Sequence, residues 1–328
     1  MIKKPRKPSL ELLTFLALAP RFPKHLPQYN YFERDLGKMQ SGFIGERSVD
    51  YYLQLYARSH TNYLYHNLRF LTHESAYQMD TLLLTPFYIL IIEIKNWGGV
   101  SLEFNQHQVK QIFQDGRIEI HDDPIIQVKR QRTNLMNLLE KLSFSHLPVE
   151  YLTVIANRNP ELIFKDYPES DRIIRSSYLD FSILDFDKEH SVKILSPNQL
   201  SKINNTFLST HKEKKINILD KYNLTADSIT KGVLCPSCLT ISMIRQKKSW
   251  LCIKCKYRNN SKSELLKALA QYSMLIGPSI THQQFKDFFQ ISTARHVSSL
   301  LGNLNLPSEG KTRGKKYRLD QLMTDMWI

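Results

Sequence analysis

Two groups of residues in this 328-residue chain have types and spacings suited to chemistry. The first is Asp80-Thr-Leu-Leu-Leu-Thr-Pro-Phe-Tyr-Ile-Leu-Ile-Ile-Glu93-Ile-Lys95, where charges interrupt an otherwise apolar run. Alternate side chains of a strand share a face, so Glu93 and Lys95 point the same way. If the flanking runs pair as a hairpin about Thr85-Pro86, Asp80 approaches Glu93 at one end of the sheet, and two carboxylates meet an amine. Phosphodiester cleavage uses such a group: carboxylates hold a hard divalent cation, which polarises the phosphate and promotes hydroxide formation from bound water. Lys95 would orient that water or stabilise charge developing on the phosphorane. The plainer reading is a strand end whose Glu93 and Lys95 form a solvated pair of little energetic consequence. Against it stands the apolar run Tyr88 to Ile92, which makes the strand central, where terminal charges are costly.

The second group holds all four cysteines, in Cys235-Pro-Ser-Cys238 and Cys252-Ile-Lys-Cys255, two Cys-x-x-Cys knuckles thirteen residues apart. The spacing favours tetrahedral Zn²⁺ held by four thiolates, and a closed four-Cys site is structural. The rival is a redox-active dithiol pair, disfavoured by two matched knuckles in a small basic segment. Leu239 to Leu251, turning at Gln246-Lys247-Lys248-Ser249, reads as the hairpin of a zinc ribbon. Between Lys231 and Lys262 there are eight Lys or Arg and no acid, with Trp250 and Tyr257 among them. Such groups could neutralise phosphates and stack on unpaired bases, although both rings could equally be the ribbon's minimal core, the reading preferred here.

The elements that must position these groups can be read from periodicity. From Gly42, Val49, Leu53 and Tyr56 recur at helical spacing, with Glu46 near the start of that helix. Leu64 to Leu71, Gln78 to Leu84 and Tyr88 to Lys95 read as successive strands. Asp115-Gly116 signals a hairpin between Gln111–Phe113 and Arg117–Ile120. Asp122-Asp-Pro124 introduces a helix over Ile126 to Leu142, Tyr151 to Ala156 reads as a buried strand, and a further helix follows Ser196-Pro197. Residues 1–37, rich in Pro and Lys, read as an extended or loosely packed leader with a short helix over Leu10 to Leu18.

With these elements in place, the first group resembles the nuclease-related domain, the NERD family of the PD-(D/E)XK nuclease superfamily. The resemblance rests on Gly45-Glu46 in the first helix, Met79-Asp80 in a strand, Glu93-Ile-Lys95 followed by Asn96-Trp97, and Asp123-Pro124 with Gln127 at a helix start. It covers roughly Gly37 to Asn157, and Asp123 stands where the family often has Asn, which puts only a helix-start contact in doubt. It implies an α/β, restriction-endonuclease-like mixed sheet flanked by helices. It also implies a site in which Asp80 and Glu93 bind Mg²⁺ or Mn²⁺, Lys95 serves catalysis, Glu46 adds a carboxylate and Gln127 assists near the phosphate or water. Glu46 could instead simply favour a helix N-terminus, and Gln127 be a solvated helix residue.

The ribbon resembles those at the C-termini of some bacterial type I topoisomerases. Beyond it, Leu265 to Tyr272, Phe285 to Phe289 and Val297 to Leu304 suggest three short helices, and Gly310 to Arg318 a basic hairpin. This resembles a small winged helix-turn-helix domain whose Arg295 and, in the wing, Arg313, Lys315 and Lys316 would contact DNA beside Lys247 and Lys248 of the ribbon. The expected organisation is a leader over 1–37, the nuclease domain with an extension over 38–224, the zinc ribbon over 231–262 and the winged helix over 263–328.

The bulk numbers agree with a nucleic-acid partner: 45 Lys and Arg against 31 Asp and Glu give a formal charge of +14, which favours polyanions. A 42% hydrophobic chain can bury a sizeable core. No apolar run approaches the roughly 18–20 residues of a membrane span. The N-terminal stretch is too short and too interrupted for a secretory signal, so a cytoplasmic protein is expected. The expected activity is metal-dependent hydrolysis of DNA, in DNA processing or anti-phage defence. The alternatives are a non-catalytic DNA-binding or regulatory protein that keeps the nuclease fold, or an adaptor for a partner protein. No self-complementary interface is recognisable, so a homo-oligomer stays open.

Overall fold

The computed structural model describes residues 1–57, 62–73, 75–246, 249–259 and 262–322, with the backbone alone at 55–57 and 313. The chain divides into two compact units, Met1–Ser9 with Lys38–Lys214, and Leu10–Gly37 with the residues from Lys215 onward. In chain order the elements begin with β1 (Ile2–Lys4), α1 (Leu10–Leu18) and α2 (Tyr29–Ala57). Then come β2 (Tyr63–Leu71), β3 (Ala76–Leu84), β4 (Ile89–Lys95), β5 (Ser101–Asn105), β6 (Gln108–Ile112) and β7 (Ile118–Asp122). They are followed by α3 (Pro124–Lys141), β8 (Val149–Ile155), β9 (Glu161–Phe164), β10 (Ile173–Arg175), α4 (Leu179–Glu189) and α5 (Pro197–Thr210).

The first unit is built on a mixed six-stranded sheet ordered β1-β2-β3-β4-β8-β10. The β2-β3 and β3-β4 pairs are antiparallel, whereas β8 runs parallel to β4. Alternation along β4 sends Ile89 and Ile91 to one core, with Leu135 and Leu139 of α3 and Leu200 and Phe207 of α5. Leu90 and Ile92 go to the other, with Val49 and Leu53 of α2 and Ile183 and Phe186 of α4. A strand apolar on both faces is what a central position requires. A second sheet, β7-β6-β5-β9, contains the hairpin expected at Asp115-Gly116.

The second unit continues with α6 (Ile218–Lys221), β11 (Val233–Leu234), β12 (Ile241–Gln246), β13 (Ser249–Cys252) and β14 (Arg258–Asn259). After these come α7 (Ser263–Leu275), β15 (Ser279–Thr281), α8 (His282–Phe288), α9 (Ala294–Gly302), β16 (Ser308–Glu309) and β17 (Lys316–Arg318). Strands β11 to β14 form an antiparallel sheet around the cysteines, and β15-β17-β16 forms a smaller one. Trp250, Cys235 and Cys252 share a continuous core with Leu269, Phe285, Phe288 and Val297, so ribbon and C-terminal helices are packed as one body.

The N-terminus departs from the loosely packed leader expected over 1–37. β1 pairs in parallel with β2, and Lys4 Nζ donates to the carbonyls of His66 and Asn67 at 3.0 and 3.3 Å. Leu12, Leu13, Phe15, Ala17 and Leu18 of α1 are buried in the second unit, where Phe15, Phe22 and Phe32 meet Tyr222 ring to ring. Those contacts also place Tyr222 with the second unit, whereas the expected nuclease-domain extension ran to 224. Composition misled because Lys and Pro read as solvated, whereas here the cations find buried acceptors. Helix α2 also begins well before Gly42. Glycines at 37 and 42, each unfavourable by about 1 kcal/mol in a helix interior, hid its first turns, and Glu46 lies mid-helix rather than near a start.

Among the described residues, no helix is long and apolar enough to cross a membrane.

Candidate active site

The site lies where two strands of the main sheet part. β3 pairs with β4 from Leu84 opposite Ile89 to Thr81 opposite Ile92, and no further. β4 nevertheless stays paired with β8 as far as Lys95. This fork leaves the Ile94 N–H without a carbonyl partner on its β3 side, and Asp80 Oδ2 accepts it at 3.0 Å. The turn that sets the fork is the expected Thr85-Pro86, where the Thr85 hydroxyl accepts from Phe87 N and Tyr88 N and donates to Tyr88 O.

Glu93 is 2% exposed, a charge that a central strand tolerates only with partners. Three side chains supply them. Lys95 Nζ donates to Oε1 at 2.8 Å, Gln127 Nε2 to Oε1 at 2.7 Å, and Gln131 Nε2 to Oε2 at 2.8 Å. Lys95 also donates to Gln127 Oε1 at 2.7 Å, closing a triangle. Gln127 and Gln131 are one helical turn apart on α3, whose start is fixed by Asp123: its Oδ1 accepts from Ile125 N at 2.9 Å and Pro124 opens the helix. Asp123 thus makes the helix-start contact that an Asn would make. Gln127 is exposed, as a solvated helix residue would be, and its amide is at the same time engaged by Lys95 and Glu93.

Glu46 reaches the same region from α2. Gly45 lets it, because a Cβ at that position would stand 2.4 Å from the Asn96 Cβ. Asn96 in turn donates to the Ser41 carbonyl at 2.8 Å, so helix and strand end are locked together. Glu46 Oε2 accepts from Arg6 Nη1 at 2.5 Å, and burial pushes its carboxyl up against the pull of Arg6. Asp80 is held well above the usual carboxylate range by burial and then by the charges of Glu93 and Glu46. Beside Lys95, the Trp97 ring stacks on His121 at 4.7 Å, with Lys95 Nζ 5.7 Å from its centroid.

Asp80, Glu93, Lys95, Gln127 and Glu46, far apart in the chain, are thus brought to one end of the sheet. Arg6, Asn67, His66 and Gln131 belong to the same network and were not singled out in the sequence. Gln131 alone had a signal, its four-residue spacing from Gln127.

The four cysteines assemble as expected. Their sulfurs lie within 4.8 Å of one another, with Cys235–Cys255 and Cys238–Cys252 each at 3.6 Å. Thiolates around zinc at about 2.3 Å stand about 3.8 Å apart in a tetrahedron, whereas a disulfide needs about 2.0 Å. Burial opposes ionisation of Cys252, but hydrogen bonds from the Cys255 and Lys254 backbone and the Ser242 hydroxyl bring its thiol down to about 5. Trp250 is 1% exposed and so is core rather than a stacking surface. Arg295 and Lys316 are exposed and Lys315 is half-buried. Lys247, Lys248 and the Arg313 side chain lie outside the described residues.

Residues 41–156 match the family model of the nuclease-related domain. Asp80, Glu93, Lys95, Gln127, Gln131 and Glu46 all fall inside this domain, while Arg6 and β1 precede it. The fold around it is the mixed α/β sheet with flanking helices that the resemblance implied, and the cysteine cluster and its small sheet follow it in the chain. Neither a search of curated proteins nor one of solved structures finds a match to the chain.

Proposed function

We propose that the protein is a nuclease that hydrolyses DNA phosphodiester bonds with a divalent metal ion bound by Asp80 and Glu93. The observation that carries this reading is the fork. It sets Asp80 beside a buried Glu93 whose two carboxylate oxygens accept hydrogen bonds from Lys95, Gln127 and Gln131. Two features fit a hard cation. Asp80 Oδ1 makes no hydrogen bond among the described residues, and the neighbouring carboxylates hold Asp80 in a repulsive field that a cation relieves. Bound there, Mg²⁺ or Mn²⁺ supplies Lewis acidity at the phosphate and a lower pKa for water.

The chain's own residues do the rest. Lys95 has three N–H donors, of which Glu93 and Gln127 take two. The third is left for a phosphate oxygen or the attacking water. Gln127 fixes the ammonium and the carboxylate together, so neither must reorganise when substrate arrives.

The second unit would bring DNA to this chemistry. The order α7, β15, α8, α9, β16, β17 fits a winged helix-turn-helix, with Arg295 exposed in the first turn of α9 and Lys316 exposed on the β16–β17 hairpin. A zinc ion on the four cysteines would hold the ribbon's two knuckles together.

The test is cleavage of plasmid and single-stranded DNA by wild-type and Asp80→Ala protein with Mg²⁺, Mn²⁺ or EDTA. Metal-dependent cleavage lost in the variant supports the proposal. Tight DNA binding by both proteins without cleavage sinks it in favour of a regulatory DNA-binding protein.

A further inference from the structure

The N-terminal segment brings a buried cation to the edge of the proposed metal site. The Arg6 side chain is only 2% exposed. Its Nε donates to Asp50 Oδ1 and Oδ2 at 2.9 and 3.1 Å. Nη1 donates to Glu46 Oε2 at 2.5 Å and to the Asp80 carbonyl at 3.3 Å, and Nη2 reaches His66 Nδ1 at 2.9 Å and Thr81 Oγ1 at 2.7 Å. Every arm of the guanidinium is engaged, and the two carboxylates it pairs with lie one helical turn apart on α2.

Asn67 acts on Glu46 in the same direction as Arg6, helping to hold its carboxyl down against burial, and it does so from a left-handed backbone with φ 54°, which a residue with a Cβ adopts at a cost. That conformation interrupts β2 between the His66–Thr81 and Leu68–Met79 pairs, opposite Asp80. The carbonyls at the irregularity are held by Lys4. Lys4, Arg6 and Asn67 therefore form one assembly whose anionic counterpart includes Glu46. Turning Glu46 Oε2 onto a metal would take a charged partner from a buried guanidinium, which is strongly unfavourable. In keeping with this, Glu46, Asp80 and Glu93 do not form a three-ligand group: among the described residues only the four cysteines do.

We infer that Glu46 is the anchor of the N-terminal segment and not a metal ligand, so that the nuclease site takes a single divalent cation on Asp80 and Glu93. The inference rests on the metal-dependent reading above. It assigns Arg6 and Asn67 as positioning residues, and it makes residues 1–9 part of the site although they lie outside the matched domain. A one-metal site must rely on Lys95 and Gln127 for the charge stabilisation that a second ion supplies in two-metal nucleases.

The experiment uses the full chain in its wild-type, Glu46→Gln and Asp80→Asn forms. Binding of Mn²⁺ is followed by loss of the free-ion EPR signal, and thermal unfolding is measured in EDTA and in Mn²⁺. The expected result is one Mn²⁺ per wild-type chain at this site, loss of that ion in Asp80→Asn, and an unchanged dissociation constant in Glu46→Gln. Glu46→Gln should also lower the unfolding midpoint equally in EDTA and in Mn²⁺, because a ligand that binds only the folded state adds the same increment to both proteins when its affinity is the same.

Two ions per wild-type chain at the carboxylates, or Mn²⁺ binding weakened in Glu46→Gln as far as in Asp80→Asn, overturns the inference alone. No binding by the wild type overturns the metal-dependent reading and this inference with it.

Discussion

Asp80 takes the backbone N–H of Ile94 at 3.0 Å, at the point where β3 leaves β4. A ladder position that would ordinarily belong to a carbonyl is thereby given to a carboxylate. The arrangement has a measurable energetic consequence, because burial, and then the charges of Glu93 and Glu46, push Asp80 well above the usual carboxylate range. Asp80→Asn keeps an oxygen for the Ile94 N–H while removing the repulsion. The variant should therefore unfold in EDTA at higher urea than the wild type, by roughly 1 kcal/mol, the pattern of a site whose function costs stability. Mg²⁺ should stabilise only the wild type. Urea melts in EDTA and in Mg²⁺ decide it, and a variant less stable than wild type in EDTA would refute the argument.

Gly45 carries a steric prediction. Its missing Cβ leaves the room in which Asn96 closes on α2 and holds Ser41, and an added methyl would meet Asn96 at 2.4 Å. Gly45→Ala should cost about 1–3 kcal/mol by overpacking, despite alanine's better helix propensity. By contrast, Gly42→Ala, in the same helix with nothing within 4 Å of where the added methyl would stand, should stabilise by up to about 1 kcal/mol. Equal effects at the two positions, read from denaturant midpoints, would show that the contact with Asn96 is not what selects glycine.

Much of this unit was legible because local and global signals agree. The apolar run into Glu93-Ile-Lys95 favoured a central strand, Thr85-Pro86 its turn, and Asp123-Pro124 the start of a helix carrying Gln127. What could not be read was long-range pairing: Arg6 meets Glu46 and Asp50 across 40 and 44 residues, and no periodicity links a basic N-terminus to a helix face. Charge composition pointed the wrong way there, since Lys4 and Arg6 are spent inside the fold rather than on its surface. In the second unit, the Cys spacing fixed the ribbon, but the burial of Trp250 depended on α7 and α8, whose packing against the ribbon the spacing does not encode.

His66 makes the first unit sensitive to acid. It is 2% exposed, and burial, followed by the charges of Arg6 and Lys4, brings its imidazole down from 6.5 to about 3. A base whose folded pKa is lowered takes up its proton first in the unfolded chain, so stability falls as pH drops from about 6.5 towards 3. At pH 5 the loss attributable to His66 is roughly 2 kcal/mol relative to pH 7.5. Asp50 and Glu46, whose carboxyls are raised chiefly by burial, act in the opposite direction as they protonate. The test is therefore the difference between wild type and His66→Gln, in which their contribution largely cancels. Unfolding free energies at pH 7.5, 6 and 5 should converge for the two proteins as pH falls. Parallel curves would mean that His66 is not the titrating group.

The four-cysteine cluster predicts that metal and packing in the second unit are coupled. Cys235 and Cys252 are fully buried in the same core as Trp250, Leu269 and Phe288, and the sulfur spacings of 3.6 Å suit a tetrahedral ion. Four thiolates brought together without a cation repel one another, so zinc binding and folding of the knuckles should be one equilibrium. The purified chain should contain one zinc per molecule by elemental analysis. Stripping it with a strong chelator should expose Trp250, read as a red shift in tryptophan emission, and re-addition of Zn²⁺ should reverse the shift. Cys252→Ser should lose the metal and show the red-shifted emission from the outset, while Cys255→Ser, at the exposed corner of the cluster, should retain zinc with reduced affinity. Removal of zinc without any change in Trp250 emission would separate the ion from the core, and would leave the ribbon held by its apolar contacts alone.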